Sequence, residues 1–159
     1  MDMYQSEKNL LEKLADAIPG LKGYRDKEAR RDTDKRFREY LAGRIESVRG
    51  RIDDSKRDLV NAGSLDGLAE IDRLSQKTFK AASMIRYASY GYSGFFDQVK
   101  IQEAELDRIY QYDLSLVADI EALEASVQNL AGNWRDCEDK INALERRIEE
   151  RKNLFTVTG

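Results

Sequence analysis

A repeat of mostly apolar residues in the last third of the sequence constrains the fold more than any other feature. Its positions alternate at steps of three and four, the heptad spacing of helices that pack side by side. We call this set the seam: Leu106, Ile109, Asp113, Leu116, Ile120, Leu123, Val127, Leu130, Trp134, Cys137, Ile141, Leu144, Ile148, Arg151 and Phe155. Only two members are charged. Because the phase never breaks, the seam predicts one continuous, coiled-coil-like helix over residues 98–155.

Three further helices are predicted upstream of the seam. The first covers residues 1–18 and ends before Pro19, and the others cover residues 25–62 and 67–89, on either side of a glycine-containing turn. Charged residues make up 36% of the chain and it contains one proline, a balance typical of long helices. The sequence therefore predicts a single all-α domain over residues 1–159, an antiparallel helical bundle of four helices, or five if the last one breaks. The first helix would cap the bundle.

The predicted helix lengths do not match one another. At 1.5 Å per residue the last three helices measure about 57, 35 and 87 Å, so the last would project roughly 40 to 50 Å beyond the bundle. Its apolar seam would then be covered by a second copy, by another protein, or by its own chain after a break at Gly132. We favour a homodimer or another homo-oligomer. The residues predicted for self-association are Leu123, Val127, Leu130, Trp134, Ile141, Leu144 and Ile148.

The residue types needed for most catalytic and metal sites are scarce. The chain has no histidine and one cysteine, which excludes Ser-His and Cys-His pairs, zinc sites and di-iron sites of the Glu-x-x-His type. It also lacks the glycine-rich phosphate-binding motifs. We therefore predict a non-enzymatic protein with no catalytic residues, no cofactor and no metal.

An aromatic cluster lies between the third and last predicted helices, in the segment YASYGYSGFF of residues 87–96. Glycine in this segment can adopt positive φ, so the cluster is consistent with a well-packed chain reversal. Alternatively, it presents an aromatic anchor to a protein partner, since tyrosine is favoured at interfaces. The residues predicted for partner binding are Tyr90, Tyr92, Phe95 and Phe96.

A second candidate surface is a basic stripe on the helix predicted over residues 25–62. Four cations follow helical spacing and could contact phosphates of nucleic acid or lipid headgroups. They are Lys27, Arg31, Lys35 and Arg38. Acidic residues are interleaved with them and the formal charge of the chain is −3, so a solvated, ion-paired helix face explains the same pattern.

Two functions follow from these patterns. The first is an oligomeric scaffold or adaptor acting through helical self-association and protein–protein contacts. The alternative is a peripheral membrane or nucleic-acid binding module that uses the basic stripe. The polar, acidic first residues and the lack of any stretch of roughly 20 apolar residues predict a cytoplasmic location.

Two segments carry a resemblance to a known group of proteins. IPGLKGYRDKEARRDTDKRFREYL, residues 18–41, and RYASYGYSGFFD, residues 86–97, resemble an uncharacterised family of bacterial all-helical proteins in which such blocks occupy the same two regions. The resemblance implies a bacterial cytoplasmic protein and attaches no activity to it. In composition and long heptad helices only, the chain is also similar to membrane-stress scaffold proteins of the phage-shock type.

Overall fold

The computed structural model describes residues 30–88 and 103–154, with side chains over 35–88, 111–130 and 132–151. These residues form four α-helices and no strand: α1 (Arg30–Asn61), α2 (Leu68–Arg86), α3 (Glu103–Ser126) and α4 (Leu130–Leu154). The prediction of an all-α helical bundle is confirmed. The helix predicted over residues 1–18 lies outside the described residues.

The helices α1 and α2 form an antiparallel hairpin, as the sequence predicts. Gly63 and Gly67 have φ of 72° and 84°, in the left-handed region that glycine adopts without strain. The Ser64 amide donates to the Leu59 carbonyl at 2.9 Å, which satisfies a carbonyl at the end of α1. The chain then enters α2 from Gly67.

The helices α3 and α4 form a second hairpin, so residues 98–155 do not form the continuous helix that the heptad phase predicts. A 3₁₀ turn over Val127–Asn129 follows α3, and Asn133 departs from helical geometry with φ −132° and ψ 28°. The Tyr112 hydroxyl donates to the Arg147 carbonyl, 35 positions along the chain. Of the three ways to cover the seam, the chain therefore adopts the break near Gly132.

The two hairpins pack so that α2 runs beside α4 in the same direction. Three pairs at a constant offset show this: Arg73 with Glu138, Lys77 with Asn142 and Lys80 with Glu145. On the other side α1 runs beside α3, where Arg44 pairs with Glu124. Both chain reversals consequently lie at the same end of the bundle.

The seam residues are buried inside the single chain, so the overhang that was predicted to join two copies is absent. Leu123, Ile141, Leu144 and Ile148 are at most 2% exposed, and Trp134 is half-buried. Their neighbours in the core come from α1 and α2 and include Leu41, Ile45, Ile52, Leu74 and Ile85. The fold-back removes the overhang because α4 takes the place beside α3 and α2 that a second copy would otherwise fill.

Candidate interaction surface at the turn end

The end of the bundle that carries both reversals is a distinctive surface of the described residues. We call it the turn end and define it by residues 59–67 and 125–134. In a chain that is 36% charged, these two segments contain a single charged residue, Asp66. Depletion of charge is characteristic of the centre of protein–protein interfaces.

A groove of about 350 Å³ opens at the turn end, between α1 and the α3–α4 turn. Its lining combines apolar side chains with hydroxyl, carboxylate and amide groups. The lining residues are Ser55, Asp58, Leu59, Gln128, Asn129, Leu130 and Gly132. Such a lining offers both apolar contact and hydrogen-bond donors and acceptors.

Two large apolar residues project into solvent at the same end. Val60 is 51% exposed and Leu65 is 74% exposed. A single exposed apolar residue is unremarkable, but two beside a partly apolar groove resemble the composition of a contact surface.

The other two exposed large hydrophobic residues of the described part of the chain lie elsewhere. The Arg49 guanidinium carbon lies 4.7 Å from the centre of the Phe79 ring, so the chain itself partly covers this ring. Tyr87 is 71% exposed and follows the end of α2. Tyr90, Tyr92, Phe95 and Phe96, which were predicted for partner binding, lie outside the described residues.

The structure describes the side chains of two of the four residues in the predicted basic stripe, Lys35 and Arg38. Lys27 lies outside the described residues, Arg31 lies in the first turn of α1, and Lys35 is exposed. Arg38 is 5% exposed, and its Nη1 donates to the Arg86 carbonyl at 2.6 Å. The alternative function requires the Arg38 guanidinium to be exposed to solvent. Instead, the Arg86 carbonyl at the end of α2 binds it.

Ionisable groups between α3 and α4 serve to join the two helices. Arg147 pairs with Asp119 at 2.8 Å and also donates to the Ser115 hydroxyl. Burial raises the pKa of Asp119, and the charge of Arg147 opposes that shift. These groups are paired with one another within the hairpin.

Features typical of a metal site, a reactive thiol or a membrane span are not found in the described part of the chain. No group of three or more Asp, Glu, Cys or His there could hold a metal ion. Cys137 is buried, and burial raises the pKa of its thiol, which lowers its nucleophilicity at neutral pH. None of the described helices is long and apolar enough to cross a membrane.

The turn end was missed at the level of sequence because it depends on the fold-back. Asn61 to Gly67 and Gly132-Asn133 are both recognisable turn signals, but only a reversal at the second brings the two segments to one end. The signal that could have revealed the surface is the shared lack of charge.

No known family, curated protein or solved structure matches this chain. The resemblance of residues 18–41 and 86–97 to a bacterial helical family stays a prediction.

Proposed function

We propose that the protein is a non-enzymatic scaffold or adaptor that self-associates through its turn end. The charge-poor surface carries this proposal, because the remaining described surface is densely ion-paired. Val60 and Leu65 supply apolar area, and the adjacent groove supplies amide and hydroxyl groups.

A second copy of the chain is the occupant that this surface fits. In a two-fold symmetric contact each copy presents the same patch, so the patch must be complementary to itself. The turn end contains both a projecting apolar tip, Leu65, and a groove with Leu59 and Leu130 in its lining. Asp66 and the groove residue Asp58 are the acidic groups that such a contact must keep apart from their counterparts in the other copy.

The proposal keeps the predicted homodimer but places its contact at the turn end rather than along an overhanging helix. The surfaces left outside the dimer would be available to further protein partners, as an adaptor requires. A bacterial source and a cytoplasmic location remain part of the proposal.

Light scattering on a sizing column tests the proposal. We expect the wild-type protein to have twice the monomer mass of 18.3 kDa. Leu65→Glu places a charge at the centre of the surface and should shift the mass towards the monomer. Ala118→Glu places the same charge at an exposed position on α3 and should leave the dimer intact. A wild-type monomer at every concentration, or equal effects of both substitutions, would overturn the proposal.

A further inference from the structure

We infer that two copies associate by exchanging α4. Residues 127–133 act as the hinge: they straighten, α3 and α4 become one long helix, and each α4 packs into the bundle of the other copy. The inference rests on the proposed self-association at the turn end and specifies how it occurs.

The phase of the seam is the first observation in favour of exchange. Leu123, Val127, Leu130 and Cys137 are buried on both sides of the turn and keep one heptad phase through it. A hairpin does not need a heptad phase that is shared by its two helices, because a non-helical turn can join two helices in any phase. A straight helix does need it, because its apolar positions must stay on one face. The exchanged form therefore accounts for a regularity that the hairpin does not use.

The geometry of the hinge is the second observation. Ser126 and Leu130 already have right-handed helical angles, with φ, ψ of −66°, −24° and −64°, −36°. Within α4 only Asn133 is recorded with non-helical angles. A Cβ added at Gly132 would meet no atom within 4 Å. Straightening thus requires a change at Asn133 and conversion of the 3₁₀ turn to α-helix, and short hinges favour exchange between copies.

The contacts of α4 are the third observation. Exchange would rebuild each of them between copies, including the pairs of α4 with Arg73 and Lys80 on α2. The buried pair of Asp113 and Arg151 would re-form in the same way. Because a buried charge without its counterion is costly, this pair allows only one register between α3 and the incoming α4. The α4 of a second copy can adopt that register, because its Arg151 can pair with Asp113 of the first copy.

Exchange also explains why Val60 and Leu65 are exposed at the turn end. Two long antiparallel helices that cross near Gly132 bring the two turn ends face to face. Val60 and Leu65, exposed in one chain, then lie beside the other copy. The surface proposed for self-association and the hinge are parts of one structure.

A disulfide distinguishes exchange from simple end-to-end contact. Ser126 lies close to Cys137 across the hairpin, near enough to affect the pKa of its thiol, so Ser126→Cys places two thiols near one another. After mild oxidation and denaturation, a hairpin yields an intrachain disulfide, whereas an exchanged dimer yields covalently linked chains. The wild-type protein, which has Cys137 alone, is the control and should give unlinked chains. We expect interchain linkage in the dimer fraction of Ser126→Cys.

Hinge variants provide a second measurement that does not depend on the disulfide. Asn133→Ala should raise the dimer association constant about tenfold, because each dimer straightens two hinges and Ala is the better helix former. Several Gly and Ser residues inserted after Gly132 should lower it, because a long flexible turn favours the hairpin. Equal association constants for the two variants would overturn the inference.

The outcomes separate this inference from the proposed function. A dimer with only intrachain disulfide keeps self-association at the turn end and overturns exchange. A protein that stays monomeric, hinge variants included, overturns both.

Discussion

Arg151 donates two hydrogen bonds to Asp113 across the α3–α4 hairpin, from Nε to Oδ1 at 2.8 Å and from Nη2 to Oδ2 at 3.3 Å. Both side chains are fully buried, and the guanidinium carbon lies 5.7 Å from the centre of the Phe37 ring. Moving two charges out of water costs several kcal/mol, which their attraction largely offsets. The pair therefore determines the alignment of α3 with α4 more than it adds to net stability.

The first prediction concerns this pair. Asp113→Ala removes the carboxylate facing Arg151 and should lower the free energy of unfolding by about 3 to 5 kcal/mol. The double variant Asp113→Leu with Arg151→Met replaces both charges by apolar groups and should recover most of that loss. Urea unfolding of the wild-type protein and both variants measures the differences. A single variant as stable as the wild type would show that the pair is solvated rather than buried.

The second prediction tests whether the seam belongs to the core of one chain. Leu123 is fully buried, so Leu123→Ala should lower the free energy of unfolding by about 2 to 5 kcal/mol through lost burial and the cavity left behind. Leu65→Ala removes the same atoms from an exposed site and should change the monomer's stability by less than about 0.5 kcal/mol. Urea unfolding of both variants under conditions where the protein is monomeric makes the comparison. Similar losses in both would contradict the described core.

Much of this fold was predictable from the heptad pattern. The pattern gives the fold class, places the turn between α1 and α2 and identifies the buried faces, because apolar spacing reports which side of a helix avoids water. It predicts the wrong course for residues 98–155, because an unbroken phase is also what a continuous helix would show.

The two charged residues of the seam indicate that the chain folds back near Gly132. Asp113 and Arg151 have opposite charges and lie 38 positions apart, with Gly132 midway between them. Two opposite charges in an apolar seam need one another, and only a reversal near Gly132 brings them together within one chain.

The basic stripe shows a different limit of sequence reasoning. Helical spacing places Arg38 on a line with Lys35, but spacing does not show which cation a neighbouring helix will bind. The carbonyl at the end of α2 binds Arg38, and this contact depends on tertiary packing.

The third prediction compares two glycines with opposite conformational needs. Gly50 lies in the interior of α1 with open space around it, so Gly50→Ala should stabilise the protein by about 0.8 to 1 kcal/mol. Gly63 has φ of 72°, where alanine is strained, so Gly63→Ala should destabilise it by about 1 to 2 kcal/mol. Thermal or urea unfolding should therefore show changes of opposite sign. The same sign at both positions would contradict the described turn.

The last prediction concerns pH and the ion pair of Glu46 with Arg86, which joins α1 to α2. The hydrogen bond from Arg86 lowers the pKa of Glu46 below its ordinary value of 4.5. A carboxyl group whose pKa is lower in the folded state stabilises the fold above its unfolded pKa and loses that effect as pH falls through the folded value.

Glu46→Gln should therefore be less stable than the wild type at neutral pH, and the difference should shrink as the pH falls below 4.5. Both partners are partly exposed, so we expect a difference of less than about 1 kcal/mol. Urea unfolding of the two proteins at a series of pH values measures it. Glu150→Gln changes an exposed carboxyl on α4 and serves as the control. A stability difference for Glu46→Gln that grew towards acid pH would mean that burial, rather than Arg86, governs this carboxyl group.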